Sequence, residues 1–223
     1  VIAKRVWLND IYSKIFFSDL IVRNKVRNEE ALGLLVRRLA ENVKQPVSYT
    51  RLANLISSIG IKISKATVIE FIRYLKESCL IFPIENYAAK FAERNSNMKH
   101  YFIDNGLLSI FLLDGNTSLL ENIVAIHLYK RYGAQLYFYN QNIEVDFIIP
   151  EAKTAIQVSY SLMDETTCRR EVEGLIKLNR VFPMDNMCII TRDEERIITH
   201  ESGVSIHVIP VWKWLLEEEP LRT

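Results

Sequence analysis

Residues that loosen or cross-link a fold are few in this chain. Seven glycines and six prolines in 223 residues leave little room for long flexible linkers. Three cysteines, Cys79, Cys168 and Cys188, lie far apart and form no CxxC pair. That excludes a disulfide scaffold and predicts buried, reduced thiols in a cytoplasmic setting. No apolar run approaches the ~20 residues of a membrane helix, so no membrane partner is expected. Charge of one sign is also lacking: 28 Lys and Arg oppose 27 Asp and Glu, a formal net charge of +1. Any basic face must therefore be local. The four histidines, His100, His127, His200 and His207, show no metal-ligand spacing. Neither a GxxxxGK phosphate loop nor a GxSxG nucleophile turn occurs.

What is present is an ordinary globular composition, 49% hydrophobic and 25% charged. The length fits one large domain or two small ones. The chain opens on Val1-Ile2-Ala3-Lys4-Arg5 and enters directly into a helical pattern, which reads as a piece of a longer chain.

The first half is helical. Apolar stripes run over residues 5–20 (Val6, Leu8, Ile11, Ile15, Phe16, Leu20) and 29–43 (Leu32, Leu35, Val36, Leu39, Val43). Ser48 is placed to cap a short helix. Gly60 marks a turn, and Ser64 begins a longer helix with Val68, Ile69, Ile72, Leu75 and Cys79 inward. Strands at 80–84 and 99–104 follow, the second closing on an Asp-Asn-Gly turn at Asp104. Helix, helix and hairpin in that order predict a winged helix over residues 48–104, within an N-terminal domain of residues 1–105. Its outward cations would be Lys62, Lys65, Arg73 and Lys76, with Lys90, Arg94 and Lys99 in or near the wing. Such a row suits the phosphates of double-stranded DNA. Glu70 and Glu77 share the helix, and no residue set has base-reading geometry.

Residues 106–223 follow a different pattern. A helix at 118–132 precedes strands at 135–139, 143–149 and 154–160. A helix at 165–181, strands at 187–191 and 204–209, and a last helix from Pro210 follow. This is an α/β layer arrangement, α+β over the whole chain, with a mixed sheet flanked by helices.

Two of these strands carry a polar residue among Val, Ile and Phe: Asp146 and Gln157. A carboxylate among apolar side chains is costly unless paired, hydrogen-bonded or metal-bound. Strict alternation puts Glu144, Asp146 and Ile148 on one face and Val145, Phe147 and Ile149 on the other. On the next strand Gln157 and Ser159 share a face. Glu121, Asp146 and Gln157 are candidate ligands for Mg²⁺, a hard ion that takes oxygen donors. Lys153 or Arg170 would be the accompanying basic residue. The structural alternative is a carboxylate that accepts backbone N–H groups or pairs with Arg169 or Arg170.

Glu121, Glu144-Val145-Asp146-Phe147 and Ile156-Gln157-Val158-Ser159 resemble the PD-(D/E)XK restriction-endonuclease-like pattern. Ser159 stands at the position of that pattern's lysine. A second resemblance covers nearly the whole chain. Asp10-Ile11-Tyr12, Asp19 to Arg23, Lys99 to Leu107, Leu120-Glu121-Asn122, Glu144 to Phe147, Gln157 to Tyr160 and Glu165 to Glu171 occur in order. Together they resemble the C-terminal region of prokaryotic ATP-binding proteins of the AAA+ class. That resemblance implies an N-terminal ATPase domain as partner, with ATP bound there and no cofactor here beyond Mg²⁺. It also implies a restriction-endonuclease-like second domain and leaves room for a homo-oligomer. Three functions follow: an accessory module binding DNA or a partner protein on an inactive nuclease-like fold, a Mg²⁺-dependent nuclease with a displaced basic residue, or a structural domain regulating the ATPase.

Overall fold

The computed structural model describes residues 2–90, 94 and 96–216. They form an α+β protein that divides into two compact units. Unit 1 comprises residues 1–83 and 95–115, and unit 2 comprises residues 84–94 and 116–223.

Unit 1 opens with α1 (Ile2–Lys14), continued by a π-helical segment, Ile15–Val22. Then come α2 (Glu29–Glu41), β1 (Val47–Ser48), α3 (Tyr49–Ser57) and α4 (Lys65–Glu77). Strands β2 (Ile81–Asn86) and β3 (Asn97–Phe102) and the short α5 (Asn105–Ser109) complete it. The helices start where short polar side chains stop the first N–H groups from being orphaned. Asn28 accepts from Ala31 N at 3.0 Å, Ser48 from Arg51 N at 3.2 Å, and Ser64 from Thr67 N at 3.1 Å. Leu32, Leu35, Leu52, Ile56, Val68 and Leu75 are fully buried around them. β1 pairs antiparallel with β3, Val47 opposite Met98.

Three local expectations change here. Ile69 is 44% exposed, and Phe71 takes the inward place beside Ile72. Asp104-Asn105-Gly106 is a helix start rather than a turn: the Asp104 carboxylate accepts Leu107 N at 2.8 Å and caps α5. Cys79 is exposed and Cys168 half-buried, so among the three free thiols burial holds for Cys188 alone. The reason at Cys79 is its place one residue past Ser78, the C-cap of α4. Leu80 N donates to Leu75 O and Cys79 N to Lys76 O, both at 3.0 Å, the paired closing bonds of a Schellman motif. Cys79 therefore holds φ 54°, a region most side chains avoid.

Unit 2 is a mixed sheet with helices against it. Its elements after the end of β2 are α6 (Asn116–Tyr132), β4 (Tyr137–Asn140), β5 (Glu144–Ile149) and β6 (Thr154–Val158). Next are α7 (Glu165–Val181), β7 (Asn186–Thr191), β8 (Arg196–Thr199), β9 (Ser205–Pro210) and α8 (Val211–Leu216). The order across the sheet is β2-β4-β5-β6-β7-β9-β8. β4, β5 and β6 form an antiparallel run; β6, β7 and β9 are parallel; β8 returns antiparallel along the edge. Sequence periodicity missed β8, because a four-residue edge strand with three exposed positions has no apolar alternation. α7 packs on β5 and β6, placing Val172, Leu175, Ile176 and Leu178 over Val145, Ile148, Ala155, Ile189 and Val208. α6 and α8 pack on each other and on β6, β7 and β9. Trp214 is 1% exposed there, while Trp212 lies 59% exposed. None of the described helices is long and apolar enough to cross a membrane.

Candidate functional site

Asp146 lies in a break of strand regularity. Tyr139 opposes Val145, yet Tyr137 opposes Ile148, so β5 carries one residue more than β4 across this stretch. This is a β-bulge, which re-aims the side chains around it. It overturns strict alternation: Val145 and Ile148 both join the core under α7, although their numbers differ in parity. Asp146 is thereby half-buried beside the gap, while Phe147 is fully buried.

The β5–β6 ladder stops at the same place. Its register pairs are Ile149 with Thr154, Ile148 with Ala155 and Phe147 with Ile156. Beyond them, side chains replace the rungs. The Gln157 amide oxygen accepts Asp146 N at 2.9 Å, and its amide nitrogen donates to Glu144 O at 3.1 Å. In return the Asp146 carboxylate accepts Val158 N at 3.0 Å. Gln157 thus stands in for a peptide unit between two separating strands. It is only 4% exposed, and such burial demands that both ends of the amide be satisfied. Gly174 on α7 closes the roof. A Cβ there would lie 3.0 Å from the Gln157 amide nitrogen and 3.2 Å from Glu144 O.

One helical turn before Gly174, Glu171 is 6% exposed. Arg170 donates to it through Nε at 3.2 Å and through a second guanidinium nitrogen. Burial pushes the Glu171 carboxyl above its ordinary range. Arg170 opposes the rise, while the charges of Asp146 and Glu144 add to it. The Arg170 guanidinium is raised chiefly by the Glu171 hydrogen bond, with Asp146 and Glu144 contributing. Glu144, Asp146, Glu171 and Arg170 therefore share one electrostatic neighbourhood. Sequence analysis missed Glu171 as a member. Its signal was a carboxylate four residues before Leu175 on the apolar stripe of α7.

The other candidates lie on α6, at the start of β6 and just past its end. Glu121 is 4% exposed on α6, beside the fully buried Asn122. Lys153 precedes β6 at the end opposite Gln157, and its ammonium lies 3.5 Å from Asp185. Ser159, 8% exposed, donates its hydroxyl to Ser161 O at 3.0 Å. Among the described residues, no group of three or more His, Cys, Asp or Glu is placed to hold a metal ion.

In unit 1, Lys62, Lys65, Arg73 and Lys76 are all exposed. At 100° per residue, Lys65, Ile69, Arg73 and Lys76 fall on one side of α4, over about 16 Å of axis. Arg73 lies 4.0 Å from both Glu70 and Glu77, with its guanidinium 5.1 Å from the centre of the Tyr74 ring. Lys90 is exposed. Arg94 turns inward on its own segment, donating to Ala89 O at 3.0 Å and Tyr87 O at 3.1 Å. Lys99, expected at the wing surface, is fully buried in β3.

Comparison with known proteins adds kinship. An uncharacterised protein of Methanocaldococcus jannaschii is 30% identical over 224 residues, covering 96% of this chain and 50% of its own length. An uncharacterised protein of Haemophilus influenzae is 27% identical over 221 residues, covering 96% and 53%. The chain thus spans about half the length of the curated relatives it matches. No solved structure matches. The model of a domain of unknown function, DUF8612, matches residues 2–123, which is more than half of the chain, and the protein belongs to that family.

Proposed function

We propose that this chain is an accessory module that binds duplex DNA through unit 1, on a chain whose nuclease-like unit 2 does not cleave. The observation that carries the DNA assignment is the row of Lys65, Arg73 and Lys76 on one side of a capped helix, with Lys62 leading into it. Cations at that spacing answer phosphates and give affinity that falls with salt. The helix–helix–strand–strand order of unit 1 supports the same reading, as does the α-β-β-β-α-β order of unit 2 for a restriction-endonuclease-like core.

The resemblance implies Mg²⁺ in unit 2, and the residues present do not fit it. An ion would need Asp146 and Gln157 to offer oxygens. The Gln157 oxygen is held on Asp146 N and one Asp146 oxygen on Val158 N. Ser159 stands where the lysine belongs, and Lys153 is tied at the far end of the strand. Asp146 and Gln157 hold strands here. The AAA+ ATPase partner and the reducing cytoplasm belong to the same proposal, the first resting on the sequence resemblance and the second on three free cysteines.

The test is fluorescence anisotropy with a labelled 30-base-pair duplex at graded salt, followed by incubation of the complex with Mg²⁺. Binding that weakens linearly in log salt, without strand cleavage, is expected. Absence of binding at low salt would leave the protein-partner version. Cleavage abolished by Asp146→Ala would establish the nuclease instead.

A further inference from the structure

His100 sits in β3 at 1% exposure, and neither ring nitrogen has a hydrogen-bond partner. Buried polar groups are nearly always satisfied, so this one needs an explanation. Two groups face it with a titratable atom: the Tyr49 phenol on α3, ring centres 6.5 Å apart, and the Lys76 ammonium on α4. Burial raises the Tyr49 pKa, so that phenol stays neutral through the acid range. α2 and α5 also pack on β3, and their buried residues are apolar. Lys99, the neighbour on the strand, is itself fully buried. No carboxylate is among the groups that act on the imidazole charge.

We propose that His100 is an acid-sensitive latch: as a buried, neutral imidazole it lets β3 sit beside Tyr49 of α3 and Lys76 of α4, and proton uptake releases that packing. The physical reason is that a charged imidazole here would be desolvated and set beside a lysine, and the Met98 backbone, the one group that favours the charge, does not offset both. Burial first, then Lys76, pushes its pKa down from the ordinary 6.5 to about 4. The unfolded chain takes the proton below 6.5, and the folded chain only below about 4. Stability from this residue is therefore complete above 6.5 and is lost as pH falls between the two values. At pH 5 the gap lowers the folding constant about thirty-fold relative to pH 7.5. Release would also withdraw the cation row of α4. That consequence rests on the proposed function; the acid response does not.

Hydrogen exchange of the full chain tests it, read on peptides covering 65–77 and 97–102, with 144–158 as the internal control. From pH 7.5 to 5, protection of α4 and β3, corrected for intrinsic rates, should fall about thirty-fold. The control should fall less, and His100→Phe should abolish the difference. The same pH loss in His100→Phe and His100→Leu would overturn the proposal. If neither variant folds, a ¹⁵N NMR titration of the unsubstituted chain decides. An imidazole that stays neutral to pH 5 in the folded state supports the latch, and one that titrates near 6.5 refutes it.

Discussion

Gln157 and Asp146 hold each other's strands. The Gln157 amide oxygen accepts the Asp146 N–H at 2.9 Å, and the Asp146 carboxylate accepts the N–H of Val158, next to Gln157, at 3.0 Å. Two side chains thus replace the rungs that β5 and β6 lose where they part. One Asp146 oxygen and both ends of the Gln157 amide are thus engaged by main chain.

Gln157→Leu should leave Asp146 N and Glu144 O without their present partner in a part-buried place. At about 1–3 kcal/mol for each of the two unsatisfied groups, a loss of about 2–6 kcal/mol is expected. Urea unfolding followed by circular dichroism reads it. Gln157→Glu should also destabilise, because it turns the donor toward Glu144 O into a second acceptor.

Gly174→Ala sets two terms against each other. Alanine gains about 1 kcal/mol over glycine inside a helix. Its Cβ would meet the Gln157 amide nitrogen at 3.0 Å and Glu144 O at 3.2 Å, and the second is backbone that cannot swing away. Overpacking costs about 1–3 kcal/mol, so a net loss is expected. A rise in melting temperature would show that α7 has room to shift.

Cys79→Gly should stabilise unit 1 by about 0.5–1 kcal/mol, since glycine adopts the left-handed C′ conformation without the Cβ penalty. The denaturation midpoint should rise with an unchanged slope.

Glu171 is expected to respond to pH in the opposite sense to a typical ion-paired acid. Its raised pKa means the folded chain holds the proton more tightly than the unfolded chain. Stability from this group is therefore gained as pH falls from neutral, and its ionisation weighs against folding above that range. Glu171→Gln should be most favourable at neutral pH and lose its advantage in acid. Denaturation midpoints of both proteins between pH 4 and 8 check this.

Each of Lys65→Ala and Lys76→Ala should weaken duplex binding about equally across sequences and reduce the slope of log affinity against log salt by about 1. Arg94→Ala should leave that slope unchanged, because its guanidinium serves Tyr87 O and Ala89 O.

The sequence by itself determined the elements that local chemistry dictates. α7 runs Glu165–Val181 as its apolar spacing requires, and Ser48 and Ser64 cap the helices they were expected to cap. Periodicity and capping act within a few residues, so they survive without tertiary information. The bulge at Asp146 does not: an extra residue is visible only against the partner strand, and it reverses which neighbours share a face. The burial of Lys99 and His100, and the turning of Arg94 onto its own segment, are likewise outcomes of packing. Asp146 and Gln157 were identifiable as polar residues in apolar strands. Only the tertiary structure decided what satisfies them, because burial demands a partner and the nearest available ones were each other's backbones.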